Sequence, residues 1–209
     1  MAGLYDRLLA YLSGLQNDVN MPLRNTGARY GAVAQTLHWT IVLLVIVQFV
    51  LGFTAHGLPI SMQRLVLMVR HKSFGMTILA LVFLRLGWRW YSPPPPLPES
   101  LAGWQRFLAR VTHALLYALL FALPVVGWIS SSASHLTVTW FGLFAFPNLV
   151  GPDVELAKLS KTVHMLLAWL LLAVAGLHAL AAFWHHLVLK DQVLSRMLPR
   201  RVADSSTKG

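Results

Sequence analysis

Cysteine is absent from the chain. Disulfides, iron–sulfur clusters, thiolate-ligated haem and cysteine-linked haem are therefore excluded, and any metal must rely on histidine, carboxylate or methionine. Charge is scarce too: 11% of the 209 residues are charged, against about 25% in a soluble domain. The first 25 residues lack a long apolar run, so no removable leader is expected, and no internal repeat is evident. What fills the chain instead is apolar. It is 56% hydrophobic, with a mean hydropathy of +0.61. That suits a chain facing lipid, where a charge near the bilayer centre costs about 2.5–3.5 kcal/mol. The length fits one compact membrane bundle without a second soluble domain.

A net charge of +10 would suit nucleic acid only if the basic residues clustered on a folded, water-facing surface. They lie instead in short stretches between apolar runs, and no nucleic-acid partner is expected. Hydropathy places spans at about 38–58, 69–90, 106–130 and 160–187, each long enough for a core that needs roughly 20 helical residues. The expected fold is all-α, an integral membrane four-helix bundle in the lipid bilayer. Lys and Arg are denser in the N-terminal segment (Arg7, Arg24, Arg29), the second connection with its helix ends (Arg85, Arg89, Arg106, Arg110) and the C-terminal tail (Lys190, Arg196, Arg200, Arg201, Lys208) than in the first and third connections (Arg64, Arg70, Lys72, Lys158, Lys161). By the positive-inside rule both termini are expected in the cytoplasm.

Residues 1–28 form an N-terminal extension. Leu4, Leu8, Tyr11, Leu12 and Leu15 share a helical face, which suits an amphipathic helix on the membrane surface; a loosely ordered extension fits equally well. Residues 29–201 are the bundle, and 202–209 a disordered tail. The run Ser92-Pro93-Pro94-Pro95-Pro96-Leu97-Pro98 cannot continue a helix and makes a stiff polyproline connector. In the long third connection, about 131–159, Trp140, Phe141, Phe144 and Phe146 are expected at the headgroup level, with a cap over a cofactor as the alternative.

Several of the nine histidines sit well within the spans or at the residue that opens one: His38, His71, His113, His164 and His178. A polar ring in hydrocarbon needs partners, so each is a candidate site residue. His164 and His178 are fourteen residues apart on the fourth helix, within about 40° of four full turns and separated by about 21 Å of rise. They project from one face at two depths. Matching depths pair His38 with His178 and His71 with His164. Two imidazoles facing one another in an apolar slot suit axial ligation of haem, with Gly75, Gly176, Ala173, Ala175 and Ala179 as small neighbours that could admit a flat ring. The plainer alternative, histidines that hydrogen-bond between helices, serves for any one of them but poorly for two depth-matched pairs. Zinc fits less well, because no carboxylate or cysteine joins the set and the pairs are about 20 Å apart. His113 stands as an alternative ligand, a propionate partner or part of a quinone pocket. His185 and His186 are open between propionate or quinone contact and snorkelling at the interface, and His56 and His135 are expected to be solvated.

The stretches Gln35-Thr36-Leu37-His38-Trp39, Arg70-His71-Lys72-Ser73-Phe74-Gly75, Leu119-Leu120-Phe121-Ala122-Leu123-Pro124-Val125-Val126-Gly127, Gly176-Leu177-His178-Ala179-Leu180-Ala181-Ala182 and Lys190-Asp191, together with His113 and His164, resemble the bacterial cytochrome b561 family. The likeness is to its four-helix di-haem inner-membrane members that act as superoxide:ubiquinone oxidoreductases. It runs from about residue 29 to 201, and nothing carries over to the segment before it. It implies two haem b groups, a multi-pass place in the bacterial inner membrane, and His38 with His178 and His71 with His164 as axial ligands. It also implies an oxidoreductase that takes electrons from superoxide and reduces ubiquinone. On that expectation Arg70, Lys72, Lys158 and Lys161 steer the superoxide anion, or else bind lipid headgroups or haem propionates, and His113, His185, Arg29 and Gln35 neighbour the quinone or a propionate. Two alternatives stand beside it. One is a quinol-oxidising cytochrome b subunit serving a periplasmic partner protein; the other is a haem-free transporter or scaffold with a histidine-lined path.

Overall fold

The computed structural model describes residues 22–98 and 101–199. The face carrying Leu4 to Leu15 and the tail from 202 lie outside the described residues. Four helices run α1 (Ala32–Gly57), α2 (Met62–Tyr91), α3 (Gly103–Ala133) and α4 (Val154–Leu187), with a small hairpin of β1 (Thr139–Trp140) and β2 (Phe144–Ala145) between α3 and α4. All four helices are long and apolar enough to cross a membrane.

Each helix begins upstream of its hydropathic span, and at α2, α3 and α4 polar side chains cap first turns that hydropathy ignores. The Ser61 hydroxyl accepts from the Arg64 amide at the start of α2, and the Asp153 carboxylate accepts from the Leu156 amide at the start of α4. The Gln105 side chain reaches back to the Ala102 amide at the start of α3. His71 and His164 therefore lie two to three turns inside their helices.

Helix α1 packs along α2, α3 along α4, and α2 along α3. No Cα of α4 comes within 8 Å of α1 or α2. Apolar side chains such as Leu43, Ile46 and Val50 point away from the bundle, as lipid-facing positions must.

Both ends of the bundle are closed by connecting segments. At the end where α1 begins and α4 finishes, the terminal end, the Arg29 guanidinium donates to the carbonyls of Ser195 (2.7 Å) and Leu198 (2.9 Å). The Arg196 guanidinium donates to the Pro96 carbonyl at 2.8 Å, and Asn25 binds Ser92 through both its main-chain amide and its side-chain amide. A Cβ at Gly31 would lie 2.4 Å from the Arg24 carbonyl, so only glycine allows this crossing. Burial pushes the Tyr30 phenol above its ordinary pKa, with Arg89 and Arg85 pulling the other way.

At the opposite, hairpin end, Phe141 (φ 49°) and Gly142 (φ 77°) make the turn between β1 and β2. Two successive positive φ values are the signature of a hairpin turn whose twist matches its strands. Ser73, fully buried on α2, clasps this hairpin: its hydroxyl accepts from the Phe141 amide (3.0 Å) and faces the Thr139 carbonyl (3.0 Å). The Trp140 indole donates to Thr77 at 3.0 Å, and Phe141 packs edge-on against Phe74. The loop aromatics thus form a clasp seated on α2, two residues from His71.

Candidate functional site

Where α4 stands off from α1 and α2, imidazoles bridge the gap at two levels. At the hairpin-end level the rings of His71 and His164 have centroids 6.2 Å apart and planes inclined by 74°. At the terminal-end level His38 and His178 are 6.5 Å apart at 89°. Two imidazoles bound to one metal from opposite sides, with bonds of about 2.0 Å, put their centroids roughly 6.3 Å apart. Both pairs fit that arrangement. His113 is 5.2 Å from His178 at 77°, too close to bracket a metal with it in this way. Among the described residues no group of three His, Cys, Asp or Glu is placed to hold a bare metal ion. A macrocycle that supplies the other four donors suits two imidazoles; zinc, which wants four protein ligands or three and water, does not.

Neighbouring helices orient the rings. A Cβ at Gly127 of α3 would come within 3.1 Å of Cε1 and 3.3 Å of Nδ1 of His164. A Cβ at Gly52 of α1 would lie 3.3 Å and 3.5 Å from the same atoms of His71. Each ring thus fills the space a side chain would take. His164 Nδ1 lies 3.0 Å from the Leu123 carbonyl. A carbonyl only accepts, so Nδ1 carries the proton and Nε2 keeps its lone pair for a metal. His113 is set the same way by the Ala109 carbonyl, 2.6 Å from its Nδ1.

The levels repeat at a spacing of fourteen residues on every helix: Gly52 and His38 on α1, His71 and Arg85 on α2, Gly127 and His113 on α3, His164 and His178 on α4. Midway stand Val45, Ile78, Leu120 and Leu171. Ile78 and Leu171 are buried in two apolar clusters, and Val45 and Leu120 pack against both. An aliphatic layer therefore separates two polar ones.

Over residues 29–200 the sequence matches the family described as prokaryotic cytochrome b561. The chain belongs to this family.

Its relatives include cytochrome b561 homolog 2 of Escherichia coli (strain K12), 32% identical over 88% of this chain and 98% of that protein. The probable superoxide oxidase CybB of Yersinia pestis is 35% identical over 83% and 97%. Cytochrome b562 of Cereibacter sphaeroides is 28% identical over 82% and 96%. This cytochrome b561 family member is accordingly a multi-pass protein of the bacterial inner membrane, with electron transfer as its work and haem b as the cofactor its family implies.

The other sequence candidates scatter. Arg29 is spent on the two main-chain carbonyls of the C-terminal segment. Gln35 is 3% exposed and its amide donates to the Tyr30 carbonyl at 2.9 Å, leaving Oε1 buried and unpaired. His185 Nδ1 meets Asp191 Oδ2 at 2.5 Å. Lys158 pairs with Glu155 at 2.9 Å, and with Lys161 and His135 it lines a surface depression at the start of α4. Arg70 is exposed and Lys72 half-buried, on either side of His71. Gly75 makes room for the Gln48 amide, 3.1 Å from its would-be Cβ, and no heavy atom lies within 4 Å of one at Gly176. The close approaches to histidine come instead at Gly52 and Gly127.

In the sequence Arg85 reads only as an orienting charge at a helix end. Its Nε donates to the Tyr117 hydroxyl at 2.9 Å and its Nη1 to the Ala34 carbonyl at 3.4 Å. The available signal was its distance of fourteen residues from His71, the spacing that singled out the histidines of α4.

Proposed function

We propose that this cytochrome b561 family member holds two b haems, one between His38 and His178 and one between His71 and His164, and uses them to oxidise superoxide and reduce ubiquinone. The observation that carries this is the pair of imidazole–imidazole separations, 6.2 Å and 6.5 Å, each suited to one iron. The printed name of the Yersinia pestis relative, a probable superoxide oxidase, supports the choice of reaction. By the positive-inside rule the terminal end faces the cytoplasm and the hairpin end the periplasm.

In the net reaction two superoxide anions become two molecules of oxygen, while one ubiquinone takes up two electrons and two protons to become ubiquinol. Held by His38 with His178 and by His71 with His164, the haems would supply one-electron outer-sphere transfer. The chain does the rest. The Leu123 carbonyl keeps His164 in the tautomer that presents Nε2 outward. Val45, Ile78, Leu120 and Leu171 keep water out between the two levels. Arg70, Lys72 and Lys161 give the hairpin end a positive field that draws the superoxide anion, with Lys158 partly offset by Glu155. At the terminal end His113 and His185 neighbour the quinone, with His185 held by Asp191, while Arg29 and Gln35 fix the adjoining segments through main-chain carbonyls.

A reduced-minus-oxidised spectrum of the purified protein tests the haems, and stopped-flow mixing with superoxide and then ubiquinone tests the reaction. The expected record is rapid haem reduction followed by quinone-dependent reoxidation. A colourless protein, or haems that superoxide leaves oxidised, refutes the proposal.

A further inference from the structure

Arg85 occupies on α2 the place that His178 occupies on α4. Both helices run from the hairpin end to the terminal end, and a step of fourteen residues, about 21 Å of rise, leads from His71 to Arg85 on one and from His164 to His178 on the other. Arg85 therefore shares a level and a bundle face with His38, His113 and His178. Two neutral groups hold its guanidinium there, the Tyr117 hydroxyl and the Ala34 carbonyl. Among the described residues no carboxylate pairs with it, the ion pairs being Lys158 with Glu155 and His185 with Asp191. Ala34, whose carbonyl it meets, lies one helical turn before His38 on α1.

The hairpin-end level has no equivalent. Glycines stand at its α1 and α3 positions, and the cation that follows His71 on α2 is Lys72. Lys72 is one residue further along α2, about 100° away from the shared face, on a longer and more flexible stem.

We infer that Arg85 is a potential-setting residue: a fixed positive charge that raises the reduction potential of the haem held by His38 and His178 above that of the haem held by His71 and His164. This rests on the two-haem assignment proposed above. Adding an electron beside a fixed cation is favourable, and in a dry bundle neither solvent nor salt screens the interaction much. Each transfer between levels moves one electron and makes or breaks no bond. Arg85 thereby makes the passage from the hairpin end to the terminal end downhill.

Redox titration of the haem spectrum tests this in the full chain. His71→Ala and His38→Ala identify which of two transitions belongs to which level. Arg85→Gln is expected to lower the midpoint of the His38–His178 haem alone, changing the equilibrium sharing of an electron between the levels by about tenfold, or about 59 mV for one electron. Arg85→Lys should hold the midpoint near its original place, and Tyr117→Phe should lower it by less, because the charge stays but loses its anchor. Midpoints unmoved in Arg85→Gln, or both lowered equally, overturn the inference. If Arg85→Gln fails to retain haem, the comparison of Tyr117→Phe with Arg85→Lys decides, and no difference between those two overturns it. Wild-type protein with a single haem overturns the two-haem proposal and this inference with it; two haems indifferent to Arg85 overturn the inference alone.

Discussion

The hairpin-end and terminal-end levels are built on one plan and finished differently. Each has a histidine from α4 facing a histidine across the gap, from α2 at the hairpin end and from α1 at the terminal end. The two remaining helix positions are Gly52 and Gly127 at the hairpin end, where each glycine receives the edge of an imidazole. At the terminal end they are Arg85 and His113, where a cation and a third imidazole crowd the pair. One level is finished with small residues and the other with charged and polar ones. The same backbone can thus carry two similar centres of unequal character, which a directional electron path requires.

The sharpest break in this comparison comes from α4, which serves both levels. Replacing His164 and His178 together with alanine is expected to abolish haem binding, read as loss of the visible spectrum. His71→Ala or His38→Ala should each remove about half of it, because two ligands from separate helices hold each centre. Full haem content in the double variant would refute the pairing.

A substitution that fills space should separate the levels next. Gly127→Val drives a branched side chain into His164, where a single Cβ already lies 3.1 Å away, and should weaken the hairpin-end haem by about 10–100-fold, as loss of a ligand's supporting shell does. Gly52→Val should act in the same direction on His71 with a smaller effect, since its Cβ clears the ring by 3.3 Å. Haem titration of each variant checks both, and equal loss from the two levels would contradict the space-based account.

Smaller effects belong to the end caps. Ser73→Ala deprives the part-buried Phe141 amide of its acceptor and should cost about 1 kcal/mol, read as a lower thermal midpoint with the terminal-end haem unaffected. The smallest expected effect is that of salt. Raising ionic strength should slow reduction by superoxide several-fold through screening of Arg70, Lys72 and Lys161, and leave reoxidation by the uncharged quinone unchanged. A superoxide rate indifferent to salt removes the steering role of those cations.

Much of the architecture was legible in order of residues alone. Apolar runs long enough for the bilayer announced four helices, because hydrocarbon penalises every interruption. The spacing of His164 and His178 on one helix announced two levels, because helical geometry converts fourteen residues into one face and a fixed rise. The helix ends were less legible: Ser61 and Asp153 start α2 and α4 through caps that hydropathy does not weigh. The hairpin clasp was less legible: its aromatics read as interfacial residues or as a cap over a cofactor, and nothing in their order points to Ser73 and Thr77 as the partners of Phe141 and Trp140.

Local chemistry therefore decided that this chain spans a membrane four times, that it lacks every thiolate route to a metal, and that its histidines stand at two depths. Contacts between distant parts of the chain decided the rest. Which glycine makes room for which imidazole, which carbonyl fixes its tautomer, and whether an arginine within a span faces lipid or the bundle depend on the rotation of each helix about its axis against its neighbours. That rotation is set by packing summed over all the helices, and no single segment carries it.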